Sequence, residues 1–213
     1  MGGPHVLSLR LLALGLIFAG ITVIPAAGAA AAGAAAAGAA GAGTSGPSSP
    51  RQPGTAPRTT GTVQAFMTLY GYADNSPPGT AIAHPCGSRT GAGGTGTYAD
   101  PVTFATDVKE LPWCEIIYVP YMERYFIHED ECSECDRGWK RSHLYRFDMW
   151  AGGDAASVHQ PERRALLGCE SNWTRANSLK DKNNPTITLD PPPGLPVTSV
   201  PIFSPPGTCW SGP

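Results

Sequence analysis

Between Thr62 and Trp150 the apolar residues fall in short runs that suit strands. Val63 to Tyr70 alternates roughly between apolar and polar and ends at Gly71, the period-two pattern of a half-buried strand. Glu115-Ile116-Ile117-Tyr118-Val119 is β-branched and aromatic and halts at Pro120, and Arg124-Tyr125-Phe126-Ile127-His128 follows after a few residues. These two runs predict a hairpin. Tyr145 to Trp150 predicts another short strand, closed by Gly152-Gly153. One segment suits a helix: Gln160 to Leu167, with Pro161 near its first turn and Gly168 as its stop. Short strands with Gly- and Pro-rich joints predict an all-β fold, a small barrel.

The flanks lack any such pattern. Leu11 to Ile24 is an unbroken apolar run behind Arg10, and Pro25 and the small residues after it resemble a leader with its cleavage site. Residues 1–30 are therefore expected to be a signal peptide, with an uncleaved anchor as the alternative. No Arg-Arg pair precedes the run, so a twin-arginine route is not indicated. Residues 31–61 are rich in Ala, Gly, Ser and Pro and bury too little side chain to offset ordering entropy, which predicts a disordered linker. Residues 62–181 are expected to form the barrel domain. Residues 182–213 read as a Pro-rich tail, extended and irregular, with Cys209 pinning it back.

Charge separates the same regions. All 17 Asp and Glu lie at or beyond Asp74, against 12 of the 15 Lys and Arg after Gly61, a formal charge of −5 for the folded part. That balance excludes a nucleic-acid binder, which needs cations to displace phosphate counterions, and suits a neutral or cationic ligand. All six cysteines (Cys86, Cys114, Cys132, Cys135, Cys169, Cys209) also lie there, and an even count in an exported chain predicts disulfides. Hairpin geometry sets Cys114 near the residues past Asp130, so a bond to Cys132 or Cys135 is expected. His128, Cys132, Cys135 and His143 have spacings that zinc could use, but disulfides are the stronger expectation and no metal or other cofactor is assigned. Asn172-Trp173-Thr174 is a glycosylation sequon. No nucleophile elbow, phosphate loop or dinucleotide fingerprint is present.

Order and spacing of several short motifs carry a resemblance. Thr103-Phe104-Ala105-Thr106-Asp107, Leu111-Pro112, Ile117-Tyr118-Val119-Pro120, Glu129-Asp130 and Arg146-Phe147-Asp148-Met149 follow one another. This is similar to the three-aspartate domain of bacterial lytic transglycosylases and of resuscitation or spore-cortex proteins. Thr68-Leu69-Tyr70-Gly71-Tyr72-Ala73-Asp74, followed by Cys86-Gly87, resembles the opening of expansins and family 45 endoglucanases. The resemblance implies a six-stranded double-psi β-barrel with one short helix. It departs from the pattern at Cys114-Glu115, where those domains have Gly-Thr, and at Asp130-Glu131-Cys132, where they have Asp-Thr-Gly.

The implied function is glycosidic-bond cleavage in cell-wall polysaccharide, peptidoglycan or a plant or fungal wall glycan, by a lytic transglycosylase or an endoglucanase-like hydrolase. Asp148 takes the place of the general acid, whose pKa must be raised to hold a proton near neutrality. Asp74 takes the place of the base that an inverting hydrolase needs, although an Asp in this setting also suits an ordinary turn. Asp107 and Asp130 are expected to be structural, their carboxylates buried against strand-end amides. Tyr70, Tyr72, Trp139 and Trp150 are candidate sugar platforms, with core packing as the alternative, and Trp139 among Arg137, Lys140 and Arg141 is the one expected at the surface. Two rival readings stay open: a non-catalytic expansin-like glycan-binding module, and a barwin-like secreted interaction protein. The expected product is an extracellular monomer, free or wall-associated, without nucleic acid and without stable membrane insertion once its leader is removed.

Overall fold

The computed structural model describes residues 61–175 and 178–213. The expected signal peptide and linker lie outside the described residues, apart from Gly61, which is the first residue of the first strand. Six strands close into a barrel: β1 (Gly61–Tyr70), β2 (Val102–Thr106), β3 (Ile116–Val119), β4 (Arg124–Glu131), β5 (Tyr145–Trp150) and β6 (Thr186–Leu189). Their order around the barrel is β1-β5-β2-β4-β3-β6. Two pairs are parallel, β1 with β5 and β2 with β4, and the remaining neighbours are antiparallel. The all-β barrel expected from the short apolar runs is the fold.

The interior explains why these segments pair. Ala65, Met67 and Leu69 of β1 point inward, as the alternation requires, and meet Phe104, Ile117, Phe126, Phe147, Met149 and Ile187 from the other five strands. A barrel of this size is filled by side chains, apolar at these positions and joined by His128 of β4, buried beside Phe104. The β3–β4 hairpin forms as the sequence predicts, turning through a 3-10 segment, Pro120–Met122, and Glu123 at φ 48°. All of β2 is buried, its two threonine hydroxyls bonded to Glu129 and to the Arg146 carbonyl, so no exposed polar face marks it as a strand.

Three features depart from the sequence reading. The sixth strand, β6, comes from the Pro-rich tail: Leu189 pairs with both Gly61 and Ile117, so the tail closes the barrel between β1 and β3. A second helix, α1 (Ser133–Ser142), follows Cys132, where only one helix, Gln160 to Leu167, was expected in the whole domain. Glu134 and Asp136 sit in its first turn and Lys140 and Arg141 in its last, each matched to the helix dipole. The predicted helix, α2 (Glu162–Trp173), runs past Gly168. A glycine inside a helix costs about 1 kcal/mol, and burial of Leu166, Cys169 and Trp173 against the barrel outweighs it. β7 (Phe203–Ser204) and β8 (Thr208–Cys209) form a small ribbon in the tail.

Three disulfides staple the domain: Cys86–Cys114, Cys132–Cys135 and Cys169–Cys209. Cys114 thus bonds to neither expected partner. The turn carrying it returns to β4 at His128, whose carbonyl accepts from the Cys114 amide at 2.9 Å. The loop after β1 comes alongside at the same point, with His84 N donating to the Glu129 carbonyl at 2.8 Å. Cys86 is therefore in place, while the chain beyond Asp130 has turned away into α1. Cys209 does pin the tail, through Cys169 of α2.

Candidate functional site

One irregularity in the sheet sets up the site. Along β2 and β4 the register runs Phe104 to His128 and then Ala105 to Asp130, leaving Glu129 as the extra residue of a bulge. A bulge rotates the side chains that follow it. Glu129 turns to a buried position where it accepts from Thr103 Oγ1 at 2.9 Å and Cys86 N at 3.1 Å, with Arg89 Nη2 3.4 Å away. Asp130 turns the other way, toward a groove.

The groove consists of two hollows of about 330 and 580 Å³ that share Asn75, Ser76, Asp130, Glu131, Cys132 and Ser133. The loop after β1 forms one wall, and the end of β4 with the start of α1 forms the other. Asp148 lies in the smaller hollow. On β5 its neighbours Phe147 and Met149 are fully buried in the barrel, so the pleat directs Asp148 outward. Its register partner on β1 is Thr68, whose Oγ1 donates to Asp148 Oδ1 at 2.8 Å. Burial of the carboxyl pushes its pKa up from 3.8 to about 6, with the Thr68 hydrogen bond and Arg146 pulling the other way and Asp74 adding to the rise.

Asp74 lines the same hollow and is exposed. Its Oδ1 accepts from the Gly71 amide at 2.7 Å, a turn-closing bond that also fixes where the carboxyl points. Behind it is an acid that the sequence reading missed. Glu170, on α2, is buried, and its Oε1 has no hydrogen-bond partner among the described residues. Burial, then the negative charges of Asp74 and Asp148, then hydrogen bonding to Asp74 push its pKa up to about 9. A Cβ at position 71 would stand 2.8 Å from Glu170 Oε1 and 2.9 Å from the Gly152 carbonyl, so Gly71 is what admits α2's carboxyl to the site. At neutral pH the three groups are thus unequal: Glu170 holds a proton, Asp148 is close to its titration point, and Asp74 faces water.

Residues 62–210 match the family described as the DDB_G0273701 N-terminal domain, a span that includes all six barrel strands except the first residue of β1. The chain belongs to that family. A curated relative from Dictyostelium discoideum, "Uncharacterized protein DDB_G0273701/DDB_G0273221", is 42% identical over 90 residues, covering 42% of this chain and 40% of the relative. The chain thus spans less than half the length of the curated relative it matches. No solved structure matches.

Within this family domain the remaining candidate residues are distributed as follows. Asp130 is buried: its Oδ2 accepts from Tyr70 Oη at 3.0 Å and its Oδ1 from the amides of Ala83 and Glu131 at 3.1 and 2.9 Å. Burial raises its pKa against the pull of these bonds. Asp107 is buried too, and its Oδ1 accepts from Lys109 N at 3.0 Å in a tight turn. Both carboxylates also line the larger hollow.

The aromatic candidates divide. Tyr70 reaches the groove but is itself buried, its hydroxyl committed to Asp130. Trp150 packs edge-on against Tyr70 at 5.3 Å and borders a separate hollow of about 270 Å³ on the tail side. Tyr72 is half-buried against the core. Trp139, expected at the surface, is half-buried on α1 against His143 and Tyr145. Tyr70 is the one aromatic among the described residues that line the groove. The zinc alternative loses its thiolates, because Cys132 and Cys135 are joined to each other and His128 Nδ1 lies 3.1 Å from the Pro112 carbonyl. No described helix is long and apolar enough to cross a membrane.

Proposed function

We propose that this domain is an extracellular double-psi barrel that cleaves glycosidic bonds in wall polysaccharide, with Asp148 as general acid. The observation that carries this is Asp148 itself: a carboxyl held by Thr68 at the floor of an open groove, with its proton retained to about pH 6 by burial. Two parallel strand pairs joined by antiparallel neighbours in a closed six-stranded barrel support the double-psi reading. Disulfides support an oxidising, extracellular setting.

In this reading a sugar chain lies along the groove and Asp148 gives its proton to the glycosidic oxygen as the bond breaks. Asp74, which lines the same hollow beside a protonated Glu170, accepts a proton from the attacking water or sugar hydroxyl. Asp74, Asp107, Asp130, Glu131, Glu134, Asp136 and Asp148 line the groove, and among the described residues that line it Arg146 is the one cation, which favours a neutral or cationic glycan.

The test is incubation of the protein with insoluble peptidoglycan, cellulose and chitin, with mass spectrometry of the soluble products. Anhydro-sugar ends are expected from a lytic transglycosylase and reducing ends from a hydrolase, and either must vanish in Asp148→Asn. Retention on a glycan without release would replace the proposal with an expansin-like binding module. Neither retention nor release would leave a protein-interaction role.

A further inference from the structure

The three disulfides are not alike. Cys86–Cys114 and Cys169–Cys209 span 28 and 40 positions, whereas Cys132–Cys135 spans three. A bond that closes so short a loop restrains little of the unfolded chain, so stapling explains it less well than the others. Its position differs as well. Cys132 is the N-cap of α1, and its Sγ accepts from the Cys135 amide at 3.1 Å. A sulfur there meets the positive end of the helix and a donated N–H, the setting that favours thiolate over thiol. The two cysteines are also inequivalent: Cys132, 9% exposed, lines both hollows of the groove, while Cys135 is fully buried and lines neither.

We propose that Cys132–Cys135 is a thiol–disulfide exchange centre that oxidises paired cysteines in polypeptide segments entering the groove, an activity separate from glycan cleavage. A substrate thiolate attacks Cys132 Sγ, the sulfur the groove presents. The Cys132–Cys135 bond breaks, and its electron pair passes to Cys135 Sγ, which takes a proton from water. The second substrate thiol loses its proton to water and attacks the substrate sulfur of the mixed disulfide. Cys132 leaves as a thiolate received by the Cys135 N–H. Two electrons move from substrate to domain, one disulfide is formed and one lost, and a small-molecule disulfide returns the domain to its oxidised state. The acidic lining that Asp107, Asp130, Glu131 and Asp136 give the larger hollow selects cysteine segments flanked by cations.

The test uses the oxidised full chain and a reduced two-cysteine hexapeptide in lysine-flanked and glutamate-flanked forms, with acid quenching, alkylation and peptide mapping. Cys132–Cys135 is expected to open at least about tenfold faster than Cys86–Cys114, even though Cys86 is the more exposed. The lysine peptide should react about tenfold faster than the glutamate peptide at low salt, with the gap closing at high salt. With a disulfide form of the lysine peptide, Cys135→Ser should accumulate a mixed disulfide at Cys132. Reduction of Cys86–Cys114 first, or reaction of Cys132–Cys135 no faster than in a free oxidised peptide of residues 130–137, would overturn the proposal. Equal rates with the two peptides would overturn its substrate class.

Discussion

The groove side and the tail side of this barrel bury different kinds of polar group. On the tail side the hydroxyls and the indole nitrogen have partners. Tyr118 Oη donates to the Pro196 carbonyl at 2.8 Å, Tyr125 Oη donates to Pro192 at 2.7 Å and accepts from Leu195 N, and Trp173 Nε1 donates to the Trp210 carbonyl at 3.0 Å. Trp173 and Trp210 stack at 4.4 Å, Arg124 lies 4.4 Å over Trp210, and its Nη2 donates to the Val200 carbonyl. On the groove side, oxygens of Asp107 and Glu170 are buried without partners among the described residues, and the carboxyls of Asp130, Asp148 and Glu170 hold protons more readily than usual. Arg124 Nε and Asn184 Oδ1 on the tail side lack partners among the described residues as well, so what sets the groove apart is its cluster of carboxyls with raised pKa values, the kind of cluster found at candidate functional sites. The tail side holds the barrel shut, and in the proposed function the groove side carries the chemistry.

The sharpest way to break this contrast is to remove the tail. Truncation after Asp181 deletes β6, which pairs with both β1 and β3, together with Cys209 and Trp210. The expected outcome is loss of cooperative unfolding, followed by circular dichroism. A truncated protein that melts as sharply as the full chain would show that the tail is an ornament.

Disulfide removal sharpens the contrast. By loop-closure entropy, Cys169→Ser/Cys209→Ser costs about 4 kcal/mol and Cys132→Ser/Cys135→Ser about 2 kcal/mol. Urea midpoints of the two double variants check the order. The reverse order would place the stabilising staple at the groove.

The raised carboxyls give a pH signature. Glu170 titrates near its ordinary 4.5 when unfolded and at about 9 when folded, Glu110 at about 8, and Asp148 at about 6 against 3.8. Between each pair of values the folded state binds a proton that the unfolded state lacks, so stability falls as pH rises through that window, by up to about 1.4 kcal/mol per pH unit for each group. The domain should therefore resist urea better at pH 5 than at pH 8. Glu170→Gln should flatten the slope between pH 5 and 8 by close to one proton. An unchanged slope would mean that Glu170 is ionised in the folded protein. The smallest expected effect is at Tyr70→Phe, which leaves Asp130 one donor short and should cost about 1 to 2 kcal/mol in urea unfolding.

The strands that could be read in advance were those whose pattern is local. β1, β3, β4 and β5 each announce themselves by alternation or by β-branched and aromatic runs. β2 is buried on both faces and came into view only through the Thr103–Asp107 resemblance. β6 was hidden because Thr186–Leu189 is embedded among prolines, and its reason for being a strand is the gap between β1 and β3. α1 has few apolar residues, so its signals were the acidic first turn and basic last turn rather than a stripe. At the site, Asp148 and Asp74 could be named from motifs near them in the chain. Glu170 could not, because it lies beyond Gly168, where the helix was read as ending, and it reaches Asp74 only through tertiary packing. Gly71 was the one trace of it, a position where α2 leaves no room for a side chain.

The most direct measurement is the pH dependence of glycan-fragment release by the wild-type protein and Asp148→Asn. If Asp148 is the proton donor, release is high at acid pH, falls as pH rises through about 6 when the carboxyl ionises, and drops by about 10²–10⁴-fold in Asp148→Asn while the variant stays folded. Release by a folded Asp148→Asn variant at the wild-type rate, or with the wild-type pH profile, would contradict the account.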